Sequence, residues 1–315
     1  MIAKFLHSLL HSWPKVLLLL LVLLFVGYPF SAVWHEDIDR TADYNFDNLT
    51  KEQSEGVEMM AFLIDREVNQ NLWVANLPAF FPLAYLDNMP NFQKGMMRAL
   101  AEVAKTLPKQ IECFQQRDIQ SLSNIADLLA YPADVWIFAN GDDLKIAPSS
   151  SRQYRKALKR LRRLNDDLGK KECLKYGNGE SLSVLLAAVD KGLGKSIENL
   201  DECFEAESNS WFDTKVDDIF YFNLGKIYAY ALILRKFGAD YKDVLENNNL
   251  EKKWMVLLEN MRQAFEIAPK IVVNANLSDA TKANHLAYLG YYFAKVRYML
   301  MEIRERLGSV YLDEN

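Results

Sequence analysis

The longest uninterrupted hydrophobic stretch of the chain lies near its start. Residues 16–33 read VLLLLLVLLFVGYPFSAV and carry no charge. At ~1.5 Å of rise per residue, a helix over this stretch covers roughly 27 Å, which is enough to cross a thin or locally thinned bilayer core. Trp13 and Trp34 flank the stretch, as amphipathic rings do at membrane interfaces. The pattern predicts a transmembrane anchor.

Charges on either side of the predicted anchor indicate its orientation. Lys4 and Lys15 precede the anchor, whereas residues 35–47 carry five acidic side chains and one arginine. Basic residues are enriched on the cytoplasmic side of a span. The sequence therefore predicts that residues 1–15 are cytoplasmic and that residues 34–315 form an exported domain.

A cleavable signal peptide is the alternative interpretation of the same stretch. Such a peptide needs small residues one and three positions before the cleavage site. For cleavage after Ala32, the position three residues before the cut is occupied by Phe30, which is large. The sequence therefore favours an anchor that is retained.

Helical periodicity dominates the chain after the anchor. Apolar residues recur at intervals of three and four, which predicts a mainly α protein with a large helical-bundle domain. Six of the nine prolines lie between residues 34 and 149, so helices there are expected to be short. The predicted helices cover about 51–72, 96–105, 119–130, 150–175, 181–207, 214–238, 250–268 and 278–307. Residues 134–138, DVWIF, fit either a short strand or a buried extended segment.

Residues 149–209 predict a long, protruding αα-hairpin. The run Ser149-Ser150-Ser151 offers an N-cap, and the sequence GNG at residues 177–179 breaks the helix into two. The first helix carries a basic stripe and the second an acidic stripe, and an antiparallel turn near Asn178 would place them along one seam. The interaction residues of this predicted hairpin are Arg155, Lys159, Asp201 and Glu202. An anion or lipid-headgroup site on the basic stripe is the alternative to charge pairing.

The overall charge and the scarcity of histidine exclude several classes of function. A formal net charge of −5 argues against a nucleic-acid-binding protein. No cofactor and no metal site is expected, and His285 stands alone on an apolar helix, where a structural role is the simpler interpretation. The sequence GLGKS at residues 192–196 imitates a phosphate loop, but it falls inside a predicted helix and lacks the earlier glycine, since Val189 stands there.

The chain has three cysteines, Cys113, Cys173 and Cys203, with no CxxC spacing. This spacing excludes a zinc ribbon and a thioredoxin-type motif. The predicted hairpin would separate Cys173 from Cys203 by roughly 30 Å, so any disulfide would have to use Cys113. Buried or free structural thiols are the other interpretation.

Acidic and aromatic residues together suggest a candidate cleft. The residues of this candidate site are Asp87, Asn88, Asn91, Asp134, Trp136, Asp213 and Asp217. Two carboxylates across an aromatic-lined cleft could bind or hydrolyse a glycan. The structural alternative is that Asp213 and Asp217 cap a helix, while Asp87 and Asp134 belong to turns.

Five mixed strings carry a resemblance to a known family. They are WVAN (73–76), LDNMPNFQ (86–93), YPADVWIF (131–138), FDTKVDDIFY (212–221) and VVNA (272–275). In these strings the chain resembles the uncharacterised bacterial family catalogued as domain of unknown function 2333, over nearly its whole length. The resemblance implies a bacterial inner-membrane protein with one N-terminal span and a periplasmic domain, and it carries no known chemistry.

Two functions are consistent with these patterns. The first is a membrane-anchored, non-catalytic interaction or scaffold module of the cell envelope, held in the lipid bilayer by residues 16–33 and bound to a protein partner. The second is a periplasmic cell-wall glycan hydrolase or sugar-binding module that uses Asp87 and Asp134.

Overall fold

The structure of the chain, a computed structural model, is mainly α-helical, as the sequence predicts. It describes residues 13–23, 38–78, 88–136, 147–205, 214–267, 269, 272–275 and 283–313. The numbered helices are α1 (Glu55–Asp65), α2 (Asn88–Ala104), α3 (Gln116–Leu129), α4 (Ser150–Gly169), α5 (Gly179–Glu205), α6 (Thr214–Asp240), α7 (Lys242–Asn247), α8 (Glu251–Glu266) and α9 (His285–Asp313). Two strands, β1 (Ile111–Cys113) and β2 (Cys173–Lys175), form an antiparallel ribbon.

The described part of the predicted anchor is residues 16–23, and residues 13–22 form a helix. Its apolar side chains are exposed, with Leu18 at 62% and Leu19 at 59%. The rest of the predicted anchor, residues 24–33, lies outside the described residues. Within the ranges that the structure describes, no helix combines the length and the hydropathy needed to span a bilayer.

Helix α6 is the centre of the fold. It packs against α1, α2, α5 and α8. Helices α2 and α6 run parallel and cross closely because both carry glycine at the crossing: a Cβ on Gly95 would overlap the carbonyl of Phe222, and a Cβ on Gly225 would overlap the carbonyl of Phe92. This close backbone contact fixes the relative position of the two helices.

Several element boundaries differ from the predicted ones for local reasons. Helix α2 begins before Pro90, because proline fits the first turn of a helix, where its missing N–H has no partner to lose. Helix α4 ends at Gly169, and Lys171 then adopts a positive φ of 61°, so strand β2 replaces the last predicted turns. Residues 134–136 form a turn and a bend rather than a strand, and residues 137–138 lie outside the described residues.

The predicted αα-hairpin is wrong in its packing, although its two helices exist. Helix α4 packs on α1 and α3, whereas α5 packs on α9, α2 and α6, because β2 redirects the chain between them. Arg155 donates to the Oδ1 of Asn69 at 2.8 Å instead of facing an acidic stripe. Lys159 is exposed on α4, and Asp201 and Glu202 are exposed on α5. The predicted charge seam therefore does not form.

The β1–β2 ribbon carries a disulfide. Cys113 lies opposite Cys173 in the strand register, and the two are bonded. Cys203 is buried and is not part of a disulfide. This pairing satisfies the condition set by the sequence, that any disulfide must use Cys113.

An N-terminal strap, residues 38–46, is fixed to the helical domain. The guanidinium of Arg40 donates to the carbonyls of residues 265–267 at the end of α8, at 3.0–3.2 Å. The hydroxyl of Tyr228 on α6 donates to the carbonyl of Thr41 at 2.7 Å. The ring of Tyr44 lies 4.5 Å from that of Phe62 on α1. The strap is therefore held by α1, α6 and α8 at once.

A buried arginine lies directly beneath the strap. Arg66 is 4% exposed, and its Nε donates to Glu67 at 2.7 Å. Its Nη1 donates to the hydroxyls of Tyr228 at 2.7 Å and Tyr44 at 3.1 Å. Burial lowers the pKa of Arg66, but the carboxylate of Glu67 and the hydroxyl of Tyr228 outweigh that effect and raise it. The arginine is thus a permanent cation that joins the strap to the core.

Candidate binding groove

An open groove of about 630 Å³ lies between α2, α5, α6 and residues 129–134. Its lining combines basic, acidic and aromatic side chains, and we call it the mixed-charge groove. The basic side chains are Lys94, Arg98, Lys195 and Lys226; the acidic ones are Glu102, Asp134 and Glu198; the aromatic ones are Tyr131, Tyr154 and Phe222.

Two of the strings that carry the family resemblance build one wall of this groove. The indole of Trp73 donates to the carbonyl of Ala133 at 3.0 Å. The side-chain amide of Asn76 donates to the carbonyl of Val135 at 2.9 Å. Both bonds run from the WVAN string to the YPADVWIF string, so the first string positions the wall that the second one forms.

The floor of the groove is a buried charge network around Glu102. Lys226, which is 3% exposed, places its Nζ 3.3 Å from Oε2 of Glu102 and donates to the carbonyl of Gly192 at 2.8 Å. The hydroxyl of Tyr230 and the Nε of Arg98 also donate to Glu102. Glycine at position 192 allows the hydroxyl of Tyr230 to lie beside the backbone of α5, because a Cβ there would collide with that hydroxyl.

The network fixes the protonation states of its members. Burial raises the pKa of Glu102, but Lys226 and the hydrogen bonds from Tyr230 and Arg98 outweigh it, so the pKa falls below 4.5. Burial lowers the pKa of Lys226 below 10.5, against the opposing effect of Glu102. Burial and Glu102 together raise the pKa of Tyr230 well above 10.0. At neutral pH Glu102 is therefore an ionised acceptor, and Tyr230 is a neutral donor.

Replacing Glu102 with glutamine is expected to reduce the decrease in the free energy of unfolding between neutral and acidic pH. The pKa of Glu102 is lower in the folded chain than its usual 4.5, so its stabilisation is complete above that pH and is lost as pH falls through the folded pKa. The Glu102→Gln variant should be less stable at neutral pH and should lose less stability on acidification. Urea unfolding of the full chain over a pH series, followed by circular dichroism, measures both effects.

Glu198→Gln is the matched control for that experiment, because Glu198 is an exposed carboxylate on the same groove. If the free energy of unfolding of Glu102→Gln fell as steeply with decreasing pH as that of the unmodified chain, this would contradict the ionised, paired state of Glu102.

The acidic residues predicted for the cleft are only partly brought together in the part of the chain that is described. Asp134 lines the mixed-charge groove and is exposed. Trp136, two residues further on, is 41% exposed. Asp87 and Asp213 lie outside the described residues, so their positions relative to Asp134 remain sequence predictions.

The other predicted cleft residues lie at the start of the two parallel helices. The side-chain amide of Asn91 donates to Oδ1 of Asp218 at 2.6 Å, one helical turn before the groove residues of α2 and α6. Asn88 is the buried first residue of α2. Asp217 lies in the first turn of α6, where the helix dipole favours a negative charge, in agreement with the structural alternative.

Sequence reasoning missed the cationic side of the groove. Lys94 and Arg98 on α2 have the periodicity of an ordinary polar helix face, so nothing marks them out. Lys226 did carry a signal: it is the single charge in the apolar run FYFNLGKIYAYALIL. A lone lysine in such a run is buried only when a carboxylate or a carbonyl is there to receive it.

His285 and the GLGKS sequence, the other features considered for catalysis or phosphate binding, make contacts that stabilise the fold. The Nδ1 of His285 accepts a hydrogen bond from the backbone N–H of Val273 at 2.9 Å, and burial lowers its pKa. The GLGKS sequence lies within helix α5, and the hydroxyl of Ser196 donates to the carbonyl of Gly192, so it is not a phosphate loop. Among the described residues, no three histidine, cysteine, aspartate or glutamate side chains lie close enough to hold a metal ion.

The fold and the groove define a mainly α-helical protein with an open site of mixed charge. Residues 11–210 match the model of a family described as uncharacterized proteins conserved in bacteria, domain of unknown function 2333. Because this match covers more than half of the chain, the protein belongs to that family. The WVAN, LDNMPNFQ and YPADVWIF strings lie inside the match. No curated protein and no solved structure matches the chain.

Proposed function

We propose that this protein is a membrane-anchored cell-envelope protein whose helical domain binds a protein partner in the mixed-charge groove and catalyses no reaction. The observation that carries the proposal is the lining of this 630 Å³ groove, which offers both signs of charge beside aromatic rings. A polypeptide segment with charges of both signs can pair with such a lining, and its apolar side chains can pack on the rings.

The exposed apolar helix at residues 13–22 supports the anchor. Leu18, Leu19 and Leu20 are each more than half exposed, at 62%, 59% and 57%. From Val16 onward the helix is apolar on every side, and the sequence continues without a charge to Val33. A helix of that kind needs an apolar environment. A bilayer supplies that environment. Residues 16–33 are therefore proposed as a single span in the bacterial inner membrane, with residues 1–15 in the cytoplasm and residues 34–315 in the periplasm.

The disulfide between Cys113 and Cys173 supports the same orientation. Structural disulfides persist in the periplasm, whereas the cytoplasm of most bacteria keeps thiols reduced. The family is bacterial, which makes the periplasm the oxidising compartment that an inner-membrane protein can reach.

The chemistry of the groove floor favours binding over catalysis. A glycosidase needs a carboxylic acid that is protonated at working pH. Glu102 has the opposite property, because Lys226, Tyr230 and Arg98 hold it ionised. The one histidine on α9, His285, already accepts a backbone hydrogen bond.

Photo-crosslinking in intact cells tests the groove as a binding site. A photoreactive amino acid at Asn199, an exposed residue of the groove wall, is expected to yield a discrete adduct with an envelope protein. The second change Lys195→Glu reverses a rim charge and should reduce that adduct about fivefold, the effect of about 1 kcal/mol. Immunoblotting of the adduct measures the loss.

Lys191 provides the matched controls, because it is exposed on the same helix but does not line the groove. A photoreactive group at Lys191 should not give the adduct, and Lys191→Glu should not reduce the adduct at Asn199. The same adduct from both positions, or no effect of Lys195→Glu, would contradict a partner in the groove.

Glycan binding or cleavage is the second candidate function, and one observation favours it. Asp134 lies in the groove beside the half-buried Tyr131, and an aromatic ring with a carboxylate suits a sugar. Asp134→Asn and Asp87→Asn in the full chain, assayed on peptidoglycan together with unfolding measurements, separate the two functions. Loss of a glycan-directed activity with unchanged stability would overturn the non-catalytic proposal, whereas loss of stability alone would assign these residues to the fold.

A further inference from the structure

A cluster of tyrosines lies on the exposed face of α9, in the first turns of that helix. We call it the tyrosine cluster, and it consists of Tyr288, Tyr291 and Tyr292 with Lys295. The ring of Tyr292 lies 4.8 Å from that of Tyr288 and 5.2 Å from that of Tyr291. The Nζ of Lys295 lies 5.8 Å from the ring of Tyr291. Tyr291 is 59% exposed, which is a large aromatic surface to leave in water.

The tyrosine cluster lies at the same end of α8 as Arg40, near the start of the N-terminal strap. The hydroxyl of Tyr292 donates to Oε1 of Gln263 at 3.1 Å, in the last turn of α8. Glu266, the final residue of that helix, acts electrostatically on Tyr288. Arg40 of the strap donates to the carbonyl of the same Glu266 at 3.2 Å. The first residues of the strap, around Arg40, and the tyrosine cluster therefore share one end of α8.

The length of chain before the strap places this end near the proposed bilayer. The proposed span ends at Val33, and Ile38 begins the described strap. Five residues cover at most roughly 17 Å even when fully extended, and the lipid headgroup layer takes roughly 5–7 Å of that distance. Because the strap is fixed to α1, α6 and α8, this short connection keeps the strap end of the domain within reach of the headgroups.

The disulfide ribbon marks the opposite end of the molecule. Lys175 of β2 pairs with Asp240, the last residue of α6, at 3.1 Å. Phe220, near the start of α6, faces the ring of His285 at the start of α9. Twenty helical residues separate Phe220 from Asp240, which corresponds to about 30 Å. A bilayer that touches the domain at Arg40 and at the start of α9 therefore leaves the ribbon end in solution.

We infer that the tyrosine cluster docks the domain on the headgroup region of the bilayer that holds its anchor. The inference rests on the anchoring proposed above. Tyrosine rings favour the membrane–water interface, where the ring meets acyl chains and the hydroxyl stays hydrated. Lys295 adds attraction to the phosphates of anionic lipids. The domain is then held at two points, by the strap and by the start of α9.

The position of the cluster beside the short connection to the proposed span favours a lipid surface over a second copy of the chain, and the two occupants would cover different parts of α9. The exposed face of α9 continues to Tyr298, which is also 59% exposed and lies about 10 Å further along the helix. A helix of a second copy lying along this face would cover both tyrosines. A bilayer at the strap end reaches Tyr291 first.

Depth-dependent fluorescence quenching tests the docking. The full chain is placed in vesicles of phosphatidylcholine and phosphatidylglycerol, with an environment-sensitive fluorophore on a cysteine introduced by Tyr291→Cys, Tyr298→Cys or Lys242→Cys. Cys203→Ser in each variant keeps the label on one site. Lys242 is an exposed residue just after α6, at the ribbon end. Lipids with a headgroup-level nitroxide should quench the label at 291 several-fold more than at 242, with 298 between them.

The outcomes distinguish a failure of the docking from a failure of the anchoring. Flotation with the vesicles and the expected order of quenching support both, and Lys295→Glu should then weaken quenching at 291. Flotation with equal quenching at 291 and 242 overturns the docking and leaves the anchor intact. A label at 291 that is shielded from water but not quenched by lipid, or 298 quenched as strongly as 291, also overturns it. A chain that does not float with vesicles overturns the anchor and the docking together.

Discussion

Replacing Arg66 with methionine is expected to lower the free energy of unfolding by about 4 kcal/mol, because removing one partner of a buried ion pair strands the other. Glu67 is 2% exposed and, among the described residues, would keep the hydrogen bond from Gln93 at 2.9 Å. The hydroxyls of Tyr44 and Tyr228 would lose their cationic donor as well. Urea unfolding of the full chain in detergent measures the loss.

Arg162→Met is the matched control for this variant. Arg162 also binds a carboxylate, Asp65 at 2.9 Å, but it is 51% exposed. A pair of that kind contributes less than about 1 kcal/mol. Limited proteolysis adds a local readout, since Arg66→Met should expose the strap to cleavage between residues 38 and 46. Equal stabilities of the two variants, or a strap that stays protected, would contradict the role of Arg66.

Removing the disulfide is the second change with a large expected effect. The bond closes a loop with a sequence separation of 60 residues, which contains α3 and α4. Loop-closure entropy for that length corresponds to about 4 kcal/mol of stabilisation. The double change Cys113→Ser and Cys173→Ser should therefore lower the free energy of unfolding by that amount. Urea unfolding of the oxidised chain and of the double variant measures it.

Two comparisons control for effects of the substitutions themselves. Dithiothreitol should lower the stability of the unmodified chain to that of the double variant, and it should leave the double variant unchanged. Cys203→Ala alters a buried thiol that forms no disulfide, so its stability should still respond to dithiothreitol. An unmodified chain that is insensitive to complete reduction would contradict the stabilising role of the bridge.

Local sequence signals predicted the helices well because they depend on neighbouring residues. Ser149 caps α4, where its side chain accepts from the backbone N–H of Arg152. Helix α6 begins at Thr214 as predicted, with Asp217 in its first turn. The strand β2 was missed because three residues are too few to show a period, and its stability comes from pairing with β1, sixty positions earlier.

Long-range packing explains the failure of the predicted hairpin. Opposite charge stripes on two consecutive helices are consistent with pairing, but they do not require it. Arg155 finds Asn69 and the carbonyl of Val68 after α1, and those partners cannot be recognised from helix periodicity. The groove was missed for the same reason, since Glu102 and Lys226 are far apart in the chain and meet only because α2 and α6 cross.

The order of the cysteines has a consequence for biogenesis. In the topology proposed above, a chain that is translocated with its N-terminal span inserted first presents Cys113 to the periplasmic oxidation machinery, then Cys173, and Cys203 last. Consecutive oxidation of thiols as they emerge yields the native bridge before the third thiol can compete for either partner. Folding then buries Cys203, where it is protected from exchange. The protein would accordingly mature without a disulfide isomerase.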